Sequence, residues 1–455
     1  MSSYNSYNSY NSNNSNNSNN SNNSNNSNNN ILIIGSGGRE YAVGLCLKKN
    51  PDAKLYCCAT NNNVGLIMIC ENLEVGDITD FEWIIEKINE WNISIVFVGP
   101  EKPLELGISD LLNKYNIRVI GPNRRNAQIE TSKIFARQLM DKHNLKKYSP
   151  KYYIIKNYCE NNLIYIYQKL NNKFVIKPDG LTGGKGVKIY QEHLKDYDDC
   201  NNYIIECLNN GVNVIIEERL EGEEFSFFSF TNGLHCIHSP VFQDFKRLNG
   251  TGTPMTGGMA TISWGNNLPS FLNNDDYNTC IEINENIINA CFIENDFPYI
   301  GFLYGSYIKT SSGVKVIEFN CRLGDPEAIN LMELLDTDLL YLFKVITNIL
   351  VVNNLKWKFK NCKSLVKYLV VPGYPTNPNN NFILDCTDNW VEMRNIRWAN
   401  MSLDIINTNI IPGSSRCMAI INTSEDNETF QELECKVDKT IEKIPNKFFW
   451  LKKIF

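Results

Sequence analysis

Three short runs, Ile31–Ile34, Ile93–Val98 and Arg118–Ile120, each stop at a glycine: Gly35, Gly99-Pro100 and Gly121-Pro122. Brief apolar runs of this kind suit strands buried on both faces. Stretches of helical character separate them: one runs to Lys49, where Asn50-Pro51-Asp52 ends it, and others cover Phe81–Trp91 and Ile108–Tyr115. Lys54–Ala59 reads as a further strand. Strand and helix in alternation predict a parallel sheet with helical crossovers.

The rhythm changes near Pro150. Tyr152–Ile155, Phe174–Lys177 and Val187–Tyr190 read as strands of a second, smaller unit. Val212–Glu218, Phe225–Phe230 and Lys315–Asn320, with a helix at Glu327–Leu335, read as a third. Lys363–Val370, Trp390–Asn395 and Cys417–Thr423 read as strands of a small β-rich C-terminal unit. The expected division is a tail at 1–30, an α/β domain at 31–132, a central domain at 133–360 with a lid at about 151–218, and a final domain at 361–455.

Residues 1–30 are almost wholly Ser, Asn and Tyr, which cannot bury enough apolar surface to offset ordering entropy. The first charged residue is Arg39, so neither a signal peptide nor a transit peptide fits. No apolar run reaches the length of a membrane span, and the fifteen cysteines show no CxxC pair or Cys/His group at zinc spacing. Reduced thiols in a cytoplasmic protein are expected. A net charge of −6 argues against general nucleic-acid binding.

Two segments carry chemistry. In Phe174-Val175-Ile176-Lys177-Pro178-Asp179-Gly180-Leu181-Thr182-Gly183-Gly184-Lys185-Gly186, a lysine at the end of an apolar strand precedes a cationic glycine loop. Without Cβ atoms, Gly180, Gly183, Gly184 and Gly186 let backbone N–H groups approach an anion. An unpaired Lys177 would be costly there, and a phosphate would pair it. A surface hairpin with solvated lysines is the blander reading. In Glu318-Phe319-Asn320-Cys321-Arg322, Glu318 and Asn320 share a strand face while Ile317 and Phe319 turn inward. Hard oxygen donors of this kind suit Mg²⁺ beside phosphate oxygens. Arg322 and Glu327 bring further charge to the same turn. Val214–Glu218 ends in carboxylates that suit an adenine amino group and ribose hydroxyls, or simply form an acidic hairpin. Gly35-Ser36-Gly37-Gly38-Arg39-Glu40 departs from the dinucleotide fingerprint at Glu40, and a sugar phosphate at the following helix N-terminus is the better expectation.

These segments, with Val98–Leu104, Gln128–Lys133, Glu217–Glu224, Gln243–Arg247 and Thr256–Met259, occur in the order of the phosphoribosylamine–glycine ligases, and the chain resembles that family from Ile31 onward. The resemblance implies an ATP-grasp fold with an N-terminal parallel α/β (pre-ATP-grasp) domain, a small lid and a small β-rich C-terminal domain. It implies ATP-dependent ligation of glycine to 5-phosphoribosylamine through glycyl phosphate, with ATP and Mg²⁺ or Mn²⁺ as cofactors. Small-molecule substrates, a monomer, no nucleic acid, no membrane and no fused partner domain of the purine pathway are expected. It places ATP at Lys133, Lys177, Gly183, Gly184, Lys185, Glu217, Glu218, Leu220 and Glu224, and metal at Glu318 and Asn320. Arg322, Asp244, Gly257 and Gly258 would be catalytic, with Thr256 beside them. Gly38, Arg39, Glu40, Glu101, Pro103 and Thr256 would hold substrate.

The sequence departs from the family pattern at Tyr41 and Phe245, where the family usually has histidine, at Asn61-Asn62, and in Thr251–Ala260, which lacks an acid and an amide. A related ATP-grasp ligase with another substrate pair, or a nucleotide-binding scaffold without turnover, are the alternative readings.

Overall fold

The computed structural model describes residues 28–183, 186–248, 255–348, 356–445 and 447–455. The expected parallel sheet is present. Its strands lie in the order Asn72–Val75, Lys54–Ala59, Asn30–Ile34, Ile95–Val98, Arg118–Ile120. In the central strand Ile31 to Ile34 are all fully buried, and successive side chains serve opposite faces. Ile31 and Ile33 join one core with Phe97, and Leu32 and Ile34 join another with Val96 and Val98. The strand order reverses between Asn30–Ile34 and Ile95–Val98, so the loops at Gly35 and Gly99 open a crevice at their carboxyl ends, the place where such sheets bind ligands. The half-buried strand Asn72–Val75 escaped the sequence reading because it is a four-residue edge with no apolar run.

The first strand starts at Asn30, one residue before the expected Ile31. Asn30 pairs with Lys54, and its side-chain amide donates to Trp91 O at 2.8 Å. A chain starting at residue 28 is therefore expected to keep wild-type turnover and thermal midpoint. A clear loss of activity in that variant would give the Asn/Ser-rich segment a functional part.

Val214–Glu218 does not join Phe225–Phe230, as the rhythm of the sequence suggested. It lies in a four-stranded antiparallel sheet ordered Tyr152–Ile155, Val214–Glu218, Phe174–Pro178, Lys188–Ile189. That sheet has its own core, in which Phe174 stacks on Tyr167 at 4.5 Å and on Tyr190 at 4.7 Å. The apolar Val214 and Ile216 share this core, which decides the pairing.

A nine-stranded sheet fills the rest. It runs Gly313–Asn320, Gly301–Thr310, Glu223–Thr231, Phe242–Arg247, Met255–Ser263, Ser364–Val370, Arg416–Thr423, Ile396–Trp398, with Cys236–His238 added on Glu223–Thr231. The C-terminal strands therefore continue this sheet through Ser364–Val370 on Met255–Ser263, whereas the sequence suggested a unit with strands of its own. Every residue of Ser364–Val370 is buried, as a central strand covered on both faces must be. The strand expected at Trp390–Asn395 is instead a short turn of helix at Asn389–Glu392, and the strand begins at Ile396. Asp388 forms the turn locally by accepting from the Trp390 indole at 3.1 Å. A separate three-stranded sheet, Leu384–Asp385, Asn409–Pro412, Met401–Asp404, lies beyond it.

Candidate active site

At the crevice of the parallel sheet, Glu40 is 2% exposed and fills the space above Gly99. A Cβ on Gly99 would lie 2.0 Å from Glu40 Oε1, so only glycine allows this approach. Glu40 Oε2 accepts from the Gly37 N–H at 2.7 Å, and Oε1 accepts from Arg39 Nε at 2.7 Å. Arg39 also donates to Leu323 O at 2.8 Å. A carboxylate thus takes one N–H at the helix N-terminus where a sugar phosphate is expected, with the guanidinium of Arg39 beside it. The crevice also offers carboxylates to hydroxyl or amine donors. Glu101 is the second of these, in the turn that buries Pro103. Burial works to raise the Glu101 pKa, but Arg322 and then Arg39 hold it below the usual range. Arg322 bridges Glu101 at 3.2 Å and Glu130 at 2.7 Å. Gly38 sits under Tyr368, whose hydroxyl would lie 2.2 Å from an added Cβ.

A second cluster joins the lid to the large sheet. Lys177, 8% exposed, is already paired: its Nζ lies 2.6 Å from Glu217 Oε2. Arg137 Nε lies 2.6 Å from the other oxygen. Glu217 was expected to face adenosine, but at 2% exposure both of its oxygens are committed to this ion triad. Burial opposes ionisation there, yet Arg137 and Lys177 bring the Glu217 carboxyl down to about 2. Two cations against one anion leave a surplus positive charge facing the loop after Lys177, a fit for phosphate.

Lys133 opens the neighbouring helix and donates to Gly180 O at 2.7 Å. Asp179 ties that helix to the loop by accepting from Ser132 Oγ and the Ile134 N–H, each at 3.1 Å. Burial and the nearby Lys177 lower the Lys133 pKa against the pull of Glu318. Gly180 and Gly183 adopt positive φ at the start of the loop. Gly184 and Lys185 lie outside the described residues. Glu218 accepts from the Lys151 N–H at 2.8 Å, Leu220 is half-buried, and Glu224 is exposed beside Lys246 at 3.5 Å.

The strand carrying Glu318 contains a bulge between the Ser306 and Tyr307 pairings, which leaves Ile317 unpaired in the ladder. Arg137 uses that freedom and donates to Ile317 O at 2.6 Å. Ile317 is consequently half-buried, not fully turned inward as expected, while Phe319 is buried and Glu318 exposed. Glu318 makes no hydrogen bond or ion pair among the described residues, although its charge acts on Lys133, Lys246 and Arg322. With its amide turned to satisfy both ends, Asn320 donates to Phe319 O at 3.0 Å and accepts from Arg322 Nη1 at 3.2 Å. An unpaired carboxylate and an amide oxygen on one strand face, beside cations suited to phosphate, fit a hard divalent ion that completes its shell with phosphate oxygens and water.

Asp244 and Lys246 share a face of the strand Phe242–Arg247 and approach this cluster from the opposite side. Gly258 passes so close that a Cβ there would lie 2.4 Å from both Asp244 Oδ1 and Pro326 Cδ. Asp244 Oδ1 is shut off from solvent with no hydrogen-bond partner among the described residues. Burial, then the neighbouring Glu327 carboxylate, push the Asp244 carboxyl up to about 8. Glu327 accepts from Tyr304 Oη at 2.8 Å. Gly257 faces the Arg416 guanidinium, which donates to Gly258 O at 2.9 Å and Asp325 O at 2.8 Å. Thr256 Oγ1 donates to Lys246 O at 2.9 Å.

A raised carboxyl pKa means that ionising Asp244 opposes folding. Its contribution to stability is fully present below about pH 4 and is lost as pH rises towards 8. Asp244→Asn is therefore expected to raise the thermal midpoint at pH 8.5 relative to wild type. Equal midpoints at that pH would show that the carboxylate carries no burial cost.

Arg137, Glu130, Lys246, Tyr304 and Arg416 were not singled out from sequence. Lys246 was within reach, since it stands two residues from Asp244 on a strand. Arg137 and Arg416 come from elements whose partners are remote in sequence, and no local pattern marks them.

Residues 29–130 match the family description "Phosphoribosylglycinamide synthetase, N domain", and residues 131–328 match "Phosphoribosylglycinamide synthetase, ATP-grasp (A) domain". The phosphoribosylamine–glycine ligase of Methanococcus vannielii is 36% identical over 409 residues, covering 89% of this chain and 92% of that protein. The chain belongs to the phosphoribosylglycinamide synthetase family. The same enzyme of Pyrococcus furiosus is 32% identical, covering 89% of this chain and 90% of that one. The crystal structure of phosphoribosylamine–glycine ligase from Thermotoga maritima superposes with a TM-score of 0.76 over 94% of this chain and all of that chain, at 24% identity, and shares the ATP-grasp fold.

Within this family the departures noted in the sequence have local accounts. Tyr41 is buried against Gly65, where a Cβ would lie 2.4 Å from its ring. Phe245 packs at the edge of the main core. Asn61 donates to Asn400 Oδ1 at 3.3 Å. Residues 251–254 of the altered loop lie outside the described residues. No helix among the described residues is long and apolar enough to cross a membrane.

Proposed function

We propose that the chain joins glycine to 5-phosphoribosylamine, driven by phosphoryl transfer from ATP, yielding glycinamide ribonucleotide, ADP and phosphate. It is an ATP-dependent carbon–nitrogen ligase of purine biosynthesis. One observation supports the site assignment: the Arg137–Glu217–Lys177 triad, Lys133, and Glu318, which is unpaired among the described residues, lie within electrostatic reach of one another.

A glycine carboxylate oxygen attacks the γ-phosphorus, ADP leaves, and the amine of phosphoribosylamine attacks the resulting acyl carbon with release of phosphate. Lys133 and Lys177 hold the triphosphate, with Gly183, Gly184 and Lys185 covering it and Glu218, Leu220 and Glu224 flanking the nucleoside. Glu217 acts by holding Lys177 in place. Glu318 and Asn320 would hold Mg²⁺ or Mn²⁺, which would supply neutralisation of phosphate charge. Asp244, Arg322 and the Thr256–Gly258 backbone face glycine and the acyl group. Gly38, Arg39, Glu40, Glu101 and Pro103 form the sugar side, where Glu40 and Glu101 accept from hydroxyl and amine protons. Catalysis comes from positioning and charge neutralisation, because no side chain need form a covalent bond. The division at about 132 and 360, with the lid near 151–218, a monomeric state and a cytoplasmic location complete this reading.

The test is a phosphate-release assay with ATP, glycine and freshly made phosphoribosylamine, each omitted in turn. Release that needs all three supports the reading. Bound ATP without release under any pair would favour a nucleotide-binding scaffold. Release with a different carboxylate and amine would favour a related ligase.

Gly258→Ala is expected to lower kcat by about a hundredfold or more, because displacing Asp244 misaligns the reacting groups. Wild-type turnover in that variant would separate Asp244 from the reaction.

A further inference from the structure

The strand Cys236–His238 places Cys236 and His238 on one face, and Glu285 reaches them from the long helix Asn274–Asn295. Their Sγ, ring nitrogen and carboxylate oxygen lie within 4.8 Å of one another, and His238 Nε2 is 3.1 Å from Glu285 Oε1. We propose that these three residues form a zinc site, separate from the catalytic cleft, that pins the added strand to the helix. No spacing rule reveals it in the sequence, because the third donor comes from a helix 47 residues beyond His238.

The surroundings suit a metal. His238 Nδ1 is 2.9 Å from Ser229 Oγ, which leaves Nε2 facing the other two donors. A ring N–H directed at a fixed partner is the usual support for a metal-bound histidine. Ser229 Oγ accepts from Asn284 Nδ2 at 2.8 Å, and Asn284 Oδ1 accepts from Tyr307 Oη at 2.5 Å. Ser229, Asn284 and Tyr307 are all fully buried, so this chain of donors and acceptors is fixed by packing. With Ser229 accepting from Asn284 and from His238 Nδ1–H, its own proton is free to donate to the Cys236 sulfur. In that arrangement the Nε2 lone pair of a neutral His238 and the Glu285 carboxylate face each other at 3.1 Å, two acceptors that a cation between them would reconcile. The Trp357 indole holds the His238 carbonyl at 2.7 Å, which fixes the strand end.

Thiolate and carboxylate together balance the charge of Zn²⁺, and sulfur, nitrogen and oxygen donors in threes leave a fourth position for water. Tetrahedral zinc would hold these donors about 3.3–3.6 Å apart. The His238–Glu285 pair is already near that spacing, and Glu285, whose side chain is 54% exposed, is free to adjust.

The test uses Co²⁺ as a spectroscopic stand-in for Zn²⁺ on the full chain, stripped of metal and kept reduced. One equivalent of Co²⁺ is expected to give a near-ultraviolet thiolate-to-metal band that Zn²⁺ abolishes. Cys236→Ser, checked for folding by circular dichroism, should lose the band. Glu285→Gln, an exposed change, should weaken Co²⁺ binding about tenfold or more. His235→Gln, beside the cluster and exposed, should leave the band intact. A metal held by Glu318 and Asn320 has no thiolate ligand and gives no such band. Absence of the band at one equivalent, or its survival in Cys236→Ser, would overturn the proposal.

Discussion

Glu217→Ala is expected to destabilise the lid by about 3–5 kcal/mol, the usual cost of removing one partner from a buried ion pair. The substitution leaves Arg137 and Lys177, both under 10% exposed, without their shared carboxylate. Arg137 retains its bond to Ile317 O, so the loss concentrates on the lid strand that carries Lys177. Hydrogen exchange of Phe174–Pro178 and Val214–Glu218 would read it directly. The pH dependence carries the same information. The folded pKa of Glu217 is about 2, below its ordinary 4.5. Its stabilisation is therefore present above about pH 4.5 and is lost as pH falls towards 2. Glu217→Gln should lack that acid-side loss in the lid. Lid exchange in Glu217→Ala indistinguishable from wild type would mean that the triad does not hold the lid to the large sheet.

Glu318→Ala should abolish metal-dependent turnover while leaving the fold intact. The carboxylate is exposed and unpaired among the described residues, so its removal leaves no buried partner stranded. Loss of a direct metal ligand should exceed the 10–100-fold effects typical of residues one step further from the ion, so kcat/KM is expected to fall more than about a hundredfold. The thermal midpoint should be unchanged or slightly lowered, since the exposed carboxylate offsets the neighbouring charges of Lys133, Lys246 and Arg322. Activity near wild type at saturating Mg²⁺ would remove Glu318 from the metal assignment.

The parallel sheet was legible because its strands are short apolar runs ended by glycine, a pattern set by local sterics and burial. The pairing of strands in the later sheets was not. Val214–Glu218 and Phe225–Phe230 are equally apolar, and what separates them is a core shared with Phe174 and Tyr167, remote in sequence. Ser364–Val370 was read correctly as a strand, yet nothing in it announces Met255–Ser263 as its neighbour. The site shows the same division. Lys177, Glu318 and Asn320 stand in recognisable local patterns. The partners that tune the carboxyl groups beside them, Arg137 for Glu217 and Glu327 for Asp244, come from distant segments. Glu217 illustrates the risk: a carboxylate at a strand end suggests a ligand contact, and only the tertiary fold shows it spent on two cations. Glu40 does the same at the helix N-terminus, where its carboxylate takes the Gly37 N–H and the Arg39 guanidinium.

The proposed reaction passes one glycine oxygen to phosphorus, and that transfer leaves a trace. Glycine labelled with ¹⁸O in both carboxylate oxygens, turned over with ATP and phosphoribosylamine, should yield inorganic phosphate carrying one ¹⁸O per molecule, read by the isotope shift in its ³¹P resonance. Unlabelled phosphate formed together with glycinamide ribonucleotide would contradict activation of the carboxylate at this site.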